Sequence, residues 1–188
     1  MAAIVRNNRG ELLTTVSDIA GTPFDFGAGV VNPIGALKPG LVYETSTDDY
    51  FHFLCNYGLD SANIKLIAAN QSYRCPSGAK VDLISNMNYP SISISKLNIV
   101  NGSTTVSRSV TNISPDLAPT YKVTIGAPPG LSVNVYPEIL QFSKTAKKLS
   151  FRVVFTATKV ATKGYVFGTL VWSDGKHTVR TPFAVNMV

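Results

Sequence analysis

The clearest pattern in the chain is a two-residue hydrophobic period that begins after Met87. Ile92 and Ile94 alternate with Ser91, Ser93 and Ser95, and Val106 and Val110 alternate with Ser107 and Ser109. Tyr121, Val123 and Ile125 share one face, as do Leu131, Val133 and Val135. Phe151, Val153 and Phe155 form the next set, followed by the run from Val166 to Trp172 and by Val179, Phe183 and Val185. Side chains alternate across a strand, so a period of two marks a strand with one buried face. The runs predict a mainly β fold of seven short strands. Turn clusters such as Ala127-Pro128-Pro129-Gly130 separate them, which is the pattern of a β-sandwich. Asp174-Gly175, between Ser173 and Lys176, predicts the turn of the last hairpin.

Upstream the period changes. Residues 46–85 carry two helical signals. Thr47 or Asp48 can cap a helix bearing Tyr50, Phe51, Phe53, Leu54 and Tyr57, which Gly58 would end. Ser61 can cap a second helix with Ile64, Leu66 and Ile67, and Ser72 to Ala79 reads as a loop. Residues 1–45 have no sustained period. Gly27 and Gly29 permit backbone conformations closed to other residues, and Pro23, Pro33 and Pro39 fix φ. Asn32 before Pro33 predicts a short capped helix within an ordered, winding connection. A short irregular and helical segment thus precedes the sandwich.

The chain has 188 residues, 45% hydrophobic and 15% charged, enough to bury a core in one or two domains. No apolar run reaches membrane-spanning length, so no membrane partner is expected. Met1 to Val5 run straight into Arg6-Asn7-Asn8-Arg9, which is not a signal peptide. The net charge is +6, with Lys144, Lys147, Lys148, Lys159, Lys163 and Lys176 concentrated in the second half. A nucleic-acid reader would join such charges to stacking aromatics and a reader motif, and neither is present. Lysines on sandwich loops read as a solvated face.

The polar residues offer little for catalysis. Ser173, Asp174 and His177 have the ingredients of a triad, but as neighbours on a tight turn they are not expected to converge in a cleft. His52 near Asp49 reads as a helix-surface residue. Cys55 and Cys75 either pair or remain as two buried thiols; a disulfide would stabilise the segment by roughly 3 kcal/mol. With only His52 and His177 available, a zinc site is not expected, and neither is a cofactor. Arg108 shares the inward face with Val106 and Val110, so its guanidinium should reach the sandwich edge or pair with a carboxylate. Asn70, Asn101 and Asn112 each open an N-glycosylation sequon.

Five motifs in order resemble plant subtilisin-like serine proteases. Residues 22–43 resemble TPFDFGAGxVNPxxALxPGLVY, and Asp49 to Cys55 are similar to DYxxFLC. Asn86 to Ile92 resemble DLNYPSI, with Asn86 and Met87 in place of Asp-Leu. Arg108 to Ile113 resemble RTVTNV, and Val166 to His177 resemble the last hairpin. The resemblance implies the tail of a peptidase domain over residues 1–45, a helical linker over 46–85 and a fibronectin type-III-like sandwich over 86–188. The absence of a cysteine pair inside the sandwich agrees with that type rather than a disulfide-pinned immunoglobulin one.

The family's nucleophile motif, GTSM-x-x-PH, is absent, as are its catalytic Asp and His motifs and its oxyanion Asn. Hydrolysis needs all of these held together, so the chain reads as noncatalytic. The resemblance implies packing on a catalytic domain in cis. It assigns scaffold and interface roles to Phe24, Asp25, Gly27, Gly29, Asn32, Pro33, Tyr89, Pro90 and Trp172. Arg108, from its place on the inward face, is the alternative candidate for an interdomain anchor. It also implies a secreted, apoplastic parent whose signal lies upstream. There, acidic wall polysaccharide is a physically reasonable weak partner for the basic surface. The competing readings are a standalone interaction module and a wall-associated binding protein.

Overall fold

The computed structural model describes residues 3–68 and 72–188. Strand β1 (Ala3–Ile4) pairs antiparallel with β2 (Val30–Val31) and closes the first part of the chain into a loop. Gly29 sits beside this pairing at φ 118, and a Cβ there would fall 2.2 Å from the Ile4 carbonyl oxygen. Only glycine permits that approach. Between the two strands lies helix α1 (Pro23–Phe26), whose first turn is closed by a capping box. The Thr22 hydroxyl accepts from the Phe24 N–H, and Asp25 accepts from the Thr22 N–H at 2.7 Å. The Thr22 N–H and hydroxyl, both donating to Asp25, hold its carboxyl below its usual range. Helix α2 (Pro33–Ala36) forms as expected, with Asn32 Oδ1 accepting from the Gly35 N–H at 3.1 Å. Strand β3 (Leu41–Val42) follows.

Both caps in the next segment fall one residue earlier than expected. Helix α3 (Thr47–Tyr57) is capped by Ser46, not by Thr47 or Asp48. Ser46 and Asp49 exchange side chain-to-backbone bonds, and this reciprocity satisfies two end donors where a lone Thr47 would satisfy one. Gly58 ends the helix at φ 110. Helix α4 (Ser61–Ala68) is opened by Asp60, which accepts from the Asn63 N–H at 2.8 Å. Ser61 is left to accept from the Cys75 N–H at 2.9 Å, holding the following loop. Cys55 and Cys75 are joined by a disulfide, which ties α3 to that loop. A 3₁₀ helix at Val81–Asn86, absent from the sequence expectation, leads into the sandwich.

The sandwich strands are β4 (Ile92–Leu97), β5 (Ser103–Asn112), β6 (Thr120–Gly126), β7 (Leu131–Tyr136), β8 (Ile139–Gln141), β9 (Lys148–Ala157), β10 (Gly164–Ser173) and β11 (Thr178–Met187). They form a five-stranded sheet in the order β4-β11-β10-β6-β8 and a four-stranded sheet in the order β3-β5-β9-β7. The seven expected strands are all present. The additions are β8, too short to show alternation, and β3, recruited to β5 by distant pairing of Leu41 with Asn112. Strand β4 lies parallel to β11, while the other pairings are antiparallel.

Alternating inward residues build one core between the sheets. Two edge-to-face aromatic pairs cross it: Phe151 with Trp172, centroids 5.1 Å apart, and Phe155 with Phe183, 5.2 Å apart. Such pairs add about 0.5–1.5 kcal/mol each beyond the area they bury. Trp172 is fully buried in this core. A hydrogen bond of 2.6 Å between the Tyr43 and Thr181 hydroxyls joins the chain just after β3 to the opposite sheet.

Candidate functional site

The segment before β3 is held against the outer face of β10 and β11. Phe24 stands edge-on to both Tyr165 and Phe167, with centroids 5.0 Å away in each case. The Arg180 guanidinium on β11 donates to the Ala28 carbonyl. Between segment and sheet runs a mainly apolar groove of about 330 Å³. Pro23, Phe24, Gly27 and Ala28 form one wall and Tyr89, Pro90 and Ser91 the other, over Pro182 and Ala184. Four of the residues singled out by sequence, Phe24, Gly27, Tyr89 and Pro90, thus meet at one place. Asp25, Asn32, Pro33 and Gly29 shape the turns that present this wall.

Arg108 differs from its sequence expectation. It is 4% exposed: it reaches the edge of β5 under the cover of residues 85–91, not in solvent, and pairs with no carboxylate. Its guanidinium instead donates to four backbone carbonyls: Tyr89 at 3.0 Å, Ser85 at 2.7 Å, Ser107 at 2.8 Å and Ser91 at 2.9 Å. Burial pulls its pKa down to about 10. The carbonyl dipoles supply the solvation that burial removes, so no acid is needed. The side chain joins residues 85–91 to β5, and with them the Tyr89-Pro90 wall of the groove.

Asn86 and Asn88, not singled out from the sequence, reinforce the same junction. Asn86 Oδ1 accepts from the Ser107 N–H at 2.9 Å, and Asn88 Oδ1 from the Ser109 N–H at 2.8 Å. These are edge donors of β5 that lack a strand partner at those positions. The signal was two asparagines spaced by two, matching the strand period they cover. Asn88 also donates to the Glu44 carbonyl at 2.9 Å.

The first segment also bares several large apolar side chains among its exposed polar ones. Ile34 is 82% exposed and Leu37 80%, with Val16, Ile19 and Val31 similarly bare. Phe24 is still 64% exposed despite its aromatic contacts.

The triad-like residues do not form a catalytic group. His177 Nδ1 meets Asp174 Oδ2 at 2.9 Å within the hairpin turn, and the three side chains form no cleft, in line with the turn role expected of them. The Ser173 hydroxyl turns away and donates to the His177 carbonyl at 3.0 Å. Burial would raise the Asp174 carboxyl, but bonds from the His177 ring and from the His177 and Lys176 backbone outweigh it, giving a value of about 2. The pair locks the hairpin turn. His52 lies on the exposed face of α3, 6.3 Å from the Tyr73 ring centroid. Of the sequons, Asn101 is exposed, Asn112 is buried, and Asn70 lies outside the described residues. No helix among the described residues is long and apolar enough to cross a membrane.

Residues 86–185 match the fibronectin type-III domain family. The chain is 43% identical over 182 residues to the CO(2)-response secreted protease of Arabidopsis thaliana, covering 96% of this chain and 23% of that protein. It is 44% identical over 189 residues to subtilisin-like protease SBT5.1 of the same plant, covering 97% of this chain and 24% of that one. The chain therefore spans about a quarter of the length of the curated relatives it matches. Among solved structures, the FixG-related protein from Vibrio parahaemolyticus superimposes with a TM-score of 0.39 at 11% identity, over 46% of this chain and 80% of that one.

Proposed function

We propose, because this chain belongs to the fibronectin type-III domain family and is similar over nearly its whole length to the C-terminal part of plant subtilisin-like proteases, that it is the noncatalytic portion of a secreted serine endopeptidase. Its task is to pack on and support a catalytic domain in cis, while peptide-bond hydrolysis belongs to that domain. The observation that carries this reading is the number of large apolar side chains exposed in residues 4–37, a segment held on the sandwich by Phe24 and Arg180. Full burial of each large apolar side chain there would contribute about 1.5–3 kcal/mol toward association. An extracellular location follows from the same reading. It is supported by the Cys55–Cys75 disulfide, a bond that persists in oxidising compartments, and by a relative named as a secreted protease.

The test is reconstitution from two polypeptides. This chain is mixed with the catalytic part of a matching relative such as SBT5.1, lacking its own corresponding region. The mixture should associate and hydrolyse a peptide substrate, whereas Ile34→Asp with Leu37→Asp in this chain should abolish both. A catalytic part that is fully active alone and shows no association would overturn the reading.

A further inference from the structure

We infer that Asn101 is an N-glycosylation site which the folded chain is built to carry, and that Asn112 is not. The inference rests on the secretory passage of the proposed function. Asn101 opens the sequon Asn101-Gly102-Ser103 at the exposed turn between β4 and β5, with its backbone in the left-handed region at φ 58. The turn is a firm platform. Val100 N–H donates to Asn98 Oδ1 at 2.7 Å, Gly102 N–H to the Asn98 carbonyl at 3.0 Å, and Ile99 N–H to the Val188 carbonyl at 2.9 Å. The Asn101 side-chain amide takes no part in these bonds. Next to the turn lies a depression of about 650 Å³ where Ser95, Asn98, Ser103 and Thr105 offer polar groups to the first sugars. The turn does not line the groove beside Phe24 and Tyr89.

Asn112 is the opposite case. It is 8% exposed, at the end of β5. Its Nδ2, the atom a sugar would occupy, donates to the Asp116 carbonyl at 2.8 Å. Its Oδ1 accepts from the Ser114 N–H and hydroxyl, so both ends of the side-chain amide are held. A glycan on Nδ2 would break the turn and open the sheet end.

The chemistry is transfer of an oligosaccharide from a lipid pyrophosphate donor. A bond forms between Asn101 Nδ2 and the anomeric carbon of the first sugar. The bond from that carbon to the pyrophosphate oxygen breaks, the lipid pyrophosphate leaves, and Nδ2 loses a proton. The test secretes the full chain from plant cells behind an appended leader, followed by glycopeptide mass spectrometry and a refolding check through the Cys55–Cys75 disulfide. The leader imposes secretory passage, so the result bears on the site and not on the native location. A glycan is expected on the Asn101 peptide and should disappear in Ser103→Ala, which preserves the left-handed asparagine. An unmodified Asn101 in secreted, disulfide-bonded chain would overturn the inference, as would a glycan on Asn112 in folded protein.

Discussion

The Arg108 guanidinium donates to the Tyr89 carbonyl at 3.0 Å, so a buried cation of one sheet fixes the exposed wall of the groove. Replacing it with alanine leaves the Ser85, Ser91 and Tyr89 carbonyls without that donor. Arg108→Ala should cost about 3 kcal/mol or more, since bonds to a charged group contribute roughly 1.5–3 kcal/mol each. Arg108→Lys should recover only part, because an ammonium cannot reproduce the planar fork. Urea unfolding of the three proteins measures both effects, and wild-type stability in Arg108→Ala would refute the assignment.

Gly168 on β10 makes room for Phe183. A Cβ at Gly168 would fall 2.2 Å from the Phe183 ring and 2.3 Å from the Gly126 carbonyl oxygen. Gly168→Ala should therefore destabilise the sandwich by about 1–3 kcal/mol through overpacking. Thermal melting followed by near-ultraviolet circular dichroism would report the loss. An unchanged melting temperature would mean that the ring relaxes without cost.

Removing the disulfide should act mainly on the helical segment. Cys55→Ser with Cys75→Ser should lower the stability of residues 46–80 by roughly 3 kcal/mol, the chain-entropy value for a loop of this size. Hydrogen exchange should accelerate in α3 and α4 while the β9 and β10 amides stay protected. Equal acceleration in the sandwich would show that the two parts unfold as one.

The Asp174 carboxyl sits at about 2 against an ordinary value of 3.8. Between these values the unfolded chain binds more protons than the folded one. The Asp174 contribution is thus fully present above pH 4 and fades as pH falls toward 2. Denaturation midpoints measured from pH 5 down to 2 should fall more steeply in wild type than in Asp174→Asn. Identical slopes would remove Asp174 from the acid response.

Much of this fold was legible in the chain because a half-buried strand writes its burial into every second residue. Phe151, Val153 and Phe155 could be placed on one face without coordinates, as could Asn32 at the start of α2. The caps were less so: Thr47 and Ser61 are good cap residues by type, but Ser46 and Asp60 stand where the end donors point. Arg108 was readable as inward and unreadable in its partners, since a cage of carbonyls is made by backbone and leaves no mark in residue identity. The same limit hid β3, whose two residues gain a strand's geometry only from distant β5.

That short strand separates the limits of the family match from those of the folding unit. The match begins at residue 86, yet the edge of β5 is closed by Leu41 and Val42 together with Asn86 and Asn88. A fragment cut at residue 86 would keep the asparagines and lose the strand, baring backbone donors and acceptors that invite pairing between chains. A fragment cut before Gly40 would carry its own seal. The closed sheet edge is therefore set by pairing across some seventy residues, and not by the point where sequence similarity to a domain family begins.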